Sequence, residues 1–230
     1  MQNQSQLKPR GLTPWVCAQC ADEQVAWGPI PADRLCHACH SAADCKPLVD
    51  VEAAAGIPDR YRGLTRESWM THFQRPWPAA LERWTGSPSW AAIWGPTGSG
   101  KTGIAAVLLA EHLRGGGRGR WISGPELARR VRHDFAAADE LLEPLLFTPR
   151  LVLDEPLAGP KVDWYFQILG LLTRTRDERR LPTLVTSDLL PELLLTQKPA
   201  APPTILSRWL SGIRIHDELS GEDVRLREAV

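Results

Sequence analysis

The feature that most constrains the fold of this chain is a glycine-rich octapeptide that ends in Lys101 and Thr102. Residues 95–102 read Gly-Pro-Thr-Gly-Ser-Gly-Lys-Thr and fit G-x-x-x-x-G-K-[ST] at every fixed position. In such a loop, glycines let backbone N–H groups surround a phosphate chain, while the lysine adds a positive charge and the threonine hydroxyl can bind Mg²⁺. The candidate phosphate-binding residues are Gly95, Pro96, Thr97, Gly98, Ser99, Gly100, Lys101 and Thr102.

The sequence around the loop predicts an α/β fold with a five-stranded parallel sheet flanked by helices. Short apolar segments alternate with helical patterns, and the loop lies between a strand and the amino end of a helix. We expect strands at 90–94, 120–123, 150–155, 182–188 and 213–215, and helices over 102–113, 125–135 and 162–176. Residues 46–59 are predicted to be the linker and entry into the α/β domain over 51–230, which follows a module over 1–50.

An acidic pair follows the third predicted strand. The segment Leu-Val-Leu-Asp-Glu at 151–155 would deliver Asp154 to the strand's carboxyl end, where it can hold Mg²⁺, with Glu155 beside it to orient and deprotonate an attacking water. The alternative is a strand that ends in two solvated acids. Asp188 ends the fourth strand, where its side chain could contact a γ-phosphate. Arg208 either reaches the nucleotide of a neighbouring subunit or forms a surface ion pair.

All five cysteines lie between Cys17 and Cys45, and four of them form two C-x2-C pairs. Cys17, Cys20, Cys36 and Cys39 can complete a tetrahedral thiolate site for structural Zn²⁺. His37 and His40 are alternative ligands, and Cys45 is left over as a plain thiol. Because residues 1–50 hold four basic and five acidic residues, we favour protein docking over nucleic-acid binding for this module.

The formal net charge of zero gives no general basic surface for nucleic acid, so a local patch would be needed. Arg129, Arg130, Arg132 and His133 form such a patch at helical spacing. They predict either salt-dependent contact with single-stranded DNA or a solvated helix face. No apolar run approaches the length of a membrane helix, and we expect a cytoplasmic protein.

Residues 55–225 resemble the AAA+ ATPases of the DnaC-type helicase loader group, close to the IstB-type transposition ATPases. The resemblance is carried by an ordered set of segments: AGIPDRYRGLTRESW, WGPTGSGKT, LVLDE, RLPTLVTSD, ILSRWL and GEDVRL. It implies ATP and Mg²⁺ as cofactors, a ring or spiral of identical subunits, single-stranded DNA, and a hexameric replicative helicase as the partner. The function implied is ATP-dependent helicase loading in DNA replication.

The resemblance also implies roles for individual residues. Lys101, Glu155, Asp188 and Arg208 would be catalytic, with Asp188 as the sensor and Arg208 as the arginine finger, while Thr102 and Asp154 would hold Mg²⁺. Arg176 matches a recurring arginine of the family. In that family the sensor residue is commonly Asn, whereas this chain has Asp188. The cysteine module resembles that of phage- and prophage-type replication proteins. An IstB-type ATPase and a zinc-dependent adaptor with a nucleotide switch are the alternatives.

Overall fold

The computed structural model describes residues 13–16, 23–26, 48–133, 138–188, 205 and 213–219. The first two segments, β1 (Thr13–Val16) and β2 (Glu23–Ala26), form an antiparallel pair in which Thr13 lies opposite Ala26. The four predicted zinc ligands, the leftover Cys45 and Arg208 all fall outside the described residues. Their roles therefore stay predictions.

A five-stranded, fully parallel sheet confirms the predicted α/β architecture. The strands are β3 (Trp90–Trp94), β4 (Gly119–Ser123), β5 (Arg150–Asp154), β6 (Thr183–Ser187) and β7 (Ile213–Glu218). Their order across the sheet is β4-β5-β6-β3-β7. The strand that leads into the glycine-rich loop is therefore internal, and its carboxyl end lies at the same edge as those of β5 and β6.

Six helices are described in the covered segments. They are α1 (Leu48–Ala55), α2 (Arg66–Phe73), α3 (Lys101–Arg114), α4 (Gly124–His133), α5 (Ala138–Phe147) and α6 (Asp163–Glu178). Short 3₁₀ helices lie at Asp59–Tyr61, Ala79–Thr85 and Pro156–Ala158. No helix in the described ranges combines the length and apolarity needed to cross a membrane.

Three of these helices add to the sequence predictions. Leu48–Ala55 lies in the stretch predicted as the linker and entry into the domain, and it forms a helix whose Val51 and Ala55 are buried in the core. The helix α2 was not predicted. The helix α5 was not predicted, and its interior contains Pro144, a residue that usually marks a helix boundary. Leu142 and Leu145 are buried and hold it on the domain.

Both faces of the sheet are covered by apolar packing. On β5, Val152 belongs to a cluster with α1, α2 and α3, whereas Leu151 and Leu153 belong to a cluster with α4, α5 and α6. Successive strand side chains point to opposite faces, so a strand buried on both sides reads as a continuous apolar run. Because these strands are buried on both faces, their apolar runs allowed them to be predicted from the sequence.

A buried carboxylate links α1 to α3 and to the loop before α2. Glu52 is 1% exposed, and its carboxylate accepts hydrogen bonds from Arg114 on α3 at 2.6 Å and from the Gly63 N–H at 2.7 Å. A buried charge is tolerated only when it is paired and hydrogen-bonded. The helix α1 is therefore fixed both to α3 and to the loop that precedes α2.

Arg176 links α6 to the end of α5 and to the start of β6 through buried hydrogen bonds. It is fully buried on α6 and donates to the Thr183 hydroxyl at 2.8 Å and to the carbonyls of Leu145 at 2.7 Å, Thr148 at 3.0 Å and Pro182 at 2.8 Å. Burial lowers its pKa to about 9. These bonds join the end of α5 to the start of β6, so the role of Arg176 in this domain is structural.

Replacing Arg176 by methionine is expected to destabilise the fold by roughly 3 kcal/mol or more, because several buried acceptors would lose their donor. Chemical denaturation monitored by tryptophan fluorescence measures the change. Arg174, an exposed arginine on the same helix, provides the matched Arg174→Met control with little expected effect. Equal stability of the two variants would contradict this role for Arg176.

Candidate functional site

Glycine is required where the loop leaves β3. Gly95 has φ of +146°, and a Cβ at this position would lie 2.2 Å from the carbonyl oxygen of Leu219. The Leu219 N–H in turn donates to the Trp94 carbonyl at 2.8 Å. The start of the loop is therefore held close to the chain that follows β7, an approach that only a residue without a side chain allows.

The back of the loop rests on Trp69, a fully buried residue of α2. The indole Nε1 donates to the Gly100 carbonyl at 3.1 Å. A Cβ on Gly100, whose φ is +96°, would lie 2.8 Å from that nitrogen, and a Cβ on Gly103 would lie 2.9 Å from the Trp69 ring. The last glycine of the motif thus serves helix packing as well as the loop conformation.

Lys101, the lysine of the motif, is buried and fully hydrogen-bonded. Its ammonium donates to the carbonyls of Gly95 at 2.8 Å and Pro96 at 2.9 Å, and it forms an ion pair with Asp188 at 2.6 Å. The second carboxylate oxygen of Asp188 accepts from the Thr97 hydroxyl at 3.0 Å. Asp188, which directly follows β6, is thereby joined to the loop that follows β3.

A second polar chain runs from α3 across β5 to β6. Asp154 accepts hydrogen bonds at one carboxylate oxygen from Thr102 at 3.1 Å and from Thr186 at 2.7 Å. The Thr186 hydroxyl also accepts from the Glu155 N–H at 2.9 Å. The acidic pair and the threonine of the loop therefore occupy one continuous network.

The electrostatic setting of Asp154 follows from its burial at 8% exposure. Burial raises the pKa of its carboxyl, while the hydrogen bonds from Thr186 and Thr102 and the charges of Lys101 and Arg60 act in the opposite direction. A carboxylate in this position gains from a nearby cation, because a positive charge offsets the cost of removing it from water.

The backbone of Glu155 is in the left-handed region, with φ of +45° and ψ of +54°. This conformation is uncommon for a residue with a side chain and costs about 1 kcal/mol or more. Tight packing holds it, because a Cβ on Gly124 of α4 would lie 2.5 Å from the Glu155 carbonyl oxygen. The Tyr165 hydroxyl also donates to the Pro156 carbonyl at 2.7 Å.

A cleft of about 910 Å³ opens beside this turn, between α4 and the chain that leads into α6. Arg129 and Arg132 line it together with Trp164. On the same helix, Glu126 pairs with Arg129 at 2.7 Å and Arg130 at 2.5 Å, and the hydrogen bond from Arg129 contributes most to lowering the pKa of Glu126 to about 2. The predicted arginine patch is therefore partly neutralised by Glu126.

The structure brings most of the predicted site together. Lys101, Thr102, Asp154, Glu155 and Asp188 meet at the carboxyl ends of β3, β5 and β6. Three contributors were not identified from the sequence, namely Tyr61, Trp69 and Thr186. Thr186 could have been found by strand periodicity, since it lies on β6 two residues before Asp188, which directly follows the strand.

Solved structures with a similar fold include replication proteins. The DnaC helicase loader is 20% identical over 72% of this chain and 100% of its own, with a TM-score of 0.55. DnaI is 24% identical over 64% of this chain and 81% of its own, with a TM-score of 0.54. The replication initiator DnaA, bound to AMPPCP and single-stranded DNA, is 17% identical over 72% of this chain, with a TM-score of 0.55.

The match to the initiator covers 51% of that protein, so the chain spans about half its length. No protein-family model matches the chain, and no curated protein matches it. The similarity establishes that the described domain shares the fold of these proteins.

The burial of Asp154 leads to a pH-dependent prediction. Since the carboxyl has a higher pKa in the folded state than in the unfolded chain, its ionisation lowers stability as the pH rises through the folded-state pKa. Asp154→Asn removes this charge and keeps an oxygen acceptor for the two threonines. We expect the nucleotide-free variant to melt at a higher temperature than wild type at neutral pH.

The difference in melting temperature should shrink as the pH falls toward 3.8, the ordinary pKa of an aspartate. Thermal unfolding at several pH values measures it, with Glu140→Gln on the exposed face of α5 as the control. A variant that melts below wild type at neutral pH would contradict the destabilising role of the Asp154 charge.

Proposed function

We propose that this chain binds ATP with Mg²⁺ and hydrolyses it. The observation that carries the proposal is the convergence of five side chains at the carboxyl ends of β3, β5 and β6 (Lys101, Thr102, Asp154, Glu155 and Asp188). A buried cation, a hydroxyl beside a carboxylate, and a second acid are the groups that phosphoryl transfer to water requires.

The glycine-rich loop has the space and donors that a phosphate chain needs. Gly95, Gly98 and Gly100 all have positive φ, and Cβ atoms at the first and last of them would collide with neighbouring atoms. Ser99 is fully buried, and its hydroxyl has no hydrogen-bond partner among the described residues. The loop also runs directly into the amino end of α3, where unpaired N–H groups favour anions.

Each residue has a defined task in this proposal. Lys101 contacts the phosphates, and Thr102 and Asp154 hold Mg²⁺, which supplies positive charge to the phosphate oxygens when bound. Glu155 orients the attacking water and accepts its proton. Asp188 connects the end of β6 to the loop through Lys101 and Thr97, which suits a residue that senses the terminal phosphate.

We further propose that the protein is a helicase loader acting in DNA replication. The similarity of fold to a helicase loader over that protein's whole length supports this role. In this proposal identical subunits form a ring or spiral when ATP binds, and Arg208 of one subunit completes the site of the next. The cysteine module, with Zn²⁺ on Cys17, Cys20, Cys36 and Cys39, docks a hexameric helicase. The cytoplasmic location stays a prediction.

We assign contact with single-stranded DNA to the cleft between α4 and α6. Arg132 is exposed, and within the described part of the chain it forms no ion pair, in contrast to Arg129 and Arg130. Trp164 faces the same cleft and offers an aromatic surface for a base. The cleft begins at Ala158, which ends the 3₁₀ helix directly after Glu155, so DNA contact and hydrolysis would be coupled through this turn.

The central prediction concerns Glu155→Gln. We expect this variant to bind ATP as wild type does and to hydrolyse it at least about a hundredfold more slowly, because the group that accepts the proton is lost. With ATP present, the variant should co-elute with the hexameric helicase of the source cell for longer than wild type. Malachite-green phosphate release and size-exclusion chromatography measure the two effects.

The controls separate the alternatives. The double variant Cys17→Ser, Cys20→Ser should lose both its zinc, measured by mass spectrometry, and the helicase complex, while Cys45→Ser keeps both. Stable association with a transposase instead of a helicase would favour an IstB-type ATPase. A Glu155→Gln variant that hydrolyses ATP as fast as wild type would favour the adaptor and remove Glu155 as the base.

For the DNA cleft, Arg132→Ala is expected to weaken binding of an oligothymidylate and to reduce its salt dependence, because a phosphate contact is lost. Trp164→Leu should weaken binding by roughly 1–3 kcal/mol with an unchanged salt slope, because it removes stacking but no charge. Fluorescence anisotropy at several salt concentrations measures both effects. Arg174→Ala, on the exposed side of α6, is the control, and equal affinity of all three variants would exclude this cleft.

A further inference from the structure

One segment of the chain lies at the proposed nucleotide site without belonging to its motifs. The 3₁₀ helix Asp59–Tyr61, from the stretch Gly-Ile-Pro-Asp-Arg-Tyr-Arg, packs against α3, which carries Lys101 and Thr102 at its amino end. The Tyr61 side chain is partly buried against the core, and Thr102 is among the groups that act on the pKa of its hydroxyl. Burial raises the pKa of its hydroxyl, and the charges of Asp154 and Glu155 add to that effect.

Arg60 lies on the outer side of this tyrosine. The carbon at the centre of its guanidinium is 4.6 Å from the centroid of the Tyr61 ring, which is a cation–π contact. Burial raises the pKa of the Asp154 carboxyl, and the positive charge of Arg60 is one of the effects that oppose this rise. Lys101 and Arg60 both act on Asp154 through their charges, but they differ in their hydrogen-bond partners. Lys101 has three acceptors, whereas Arg60 forms no ion pair within the described residues.

The backbone around Arg60 is held from both sides. Arg62 Nε donates to the Ile57 carbonyl at 2.9 Å, and its guanidinium pairs with Asp59 at 2.5 Å. The Gly63 N–H donates to the buried carboxylate of Glu52 at 2.7 Å. The segment is thus a fixed turn, and it holds the backbone of Arg60 against α3.

We propose that Arg60 is a phosphate-binding residue of this site, contacting the terminal phosphate of a nucleoside triphosphate, and that Tyr61 positions it. The inference rests on the proposed nucleotide site. Arg60 is exposed and forms no ion pair within the described residues, and its charge acts on Asp154, the carboxylate assigned to the metal. In this proposal its guanidinium reaches the end of the phosphate chain. Arginine is suited to this task because its planar group can bond two phosphate oxygens at once. The ring of Tyr61, which packs against the core, restricts the guanidinium to one side.

The test compares binding of ATP and ADP by fluorescence titration with their N-methylanthraniloyl analogues. Arg60→Ala should weaken binding of the triphosphate analogue about tenfold and that of the diphosphate analogue less than about twofold, as expected for one charge-assisted hydrogen bond made only to the terminal phosphate. Arg60→Lys should recover part of the loss. Arg174→Ala is the control, because Arg174 is an exposed arginine far along α6.

Variants of Tyr61 test the positioning role. Tyr61→Phe keeps the ring and should preserve the preference for the triphosphate, whereas Tyr61→Leu should lose it as Arg60→Ala does. Thermal melts of each variant establish that the fold is retained.

The possible results separate this inference from the function on which it rests. If wild type binds neither analogue, the proposed nucleotide site fails. If wild type binds both and Arg60→Ala changes both affinities equally, or neither, the site stands and the role of Arg60 is overturned.

Discussion

A buried ammonium group requires an acceptor for each of its protons, and in this domain Lys101 has three. Two of these acceptors are carbonyls of the loop itself, so the curl of the loop is set by the charge that it surrounds. The third is Asp188, which ties the end of β6 to the loop after β3. A phosphate oxygen that contacts Lys101 must therefore replace one of them. Asp188 is the acceptor with room to move, since its side chain is 43% exposed, whereas the carbonyls are fixed in the backbone.

The acidic side of the site is organised by hydroxyl groups. Thr102 and Thr186 both donate to Asp154, and Thr186 also fixes the backbone of Glu155. The position of the acidic pair thus depends on a threonine from the neighbouring strand and on one from the helix after the loop. The left-handed backbone at Glu155 then directs the chain into the 3₁₀ helix that borders the cleft. The acidic pair at the sheet edge and the cleft on the outer surface are consequently joined by one turn of backbone.

The parts of this arrangement that were predictable from the sequence depend on residues close together in the chain. The strand Trp90–Trp94 and the loop after it were identified by a contiguous motif, and Asp154 by an apolar run buried on both faces. The residues that were missed act through space. Trp69 precedes Gly100 by 31 residues, and nothing local distinguishes it from the other tryptophans. The helix Leu48–Ala55 falls in the stretch predicted as the linker and entry into the domain, because its boundaries carry no strong signal, and its packing against α3 is visible only in the structure.

The support of the glycine-rich loop by Trp69 determines where this chain can be divided. A fragment beginning at Trp90 would contain the whole phosphate motif and every acid of the site. It would nevertheless lack the indole that bonds the Gly100 carbonyl and the apolar surface that covers Gly103. Trp69 belongs to α2, the loop before α2 is held by Glu52, and Glu52 belongs to α1. A fragment that keeps these supports of the loop therefore includes α1 and α2, so the structural unit is set by packing behind the loop and is larger than the motif that identifies it.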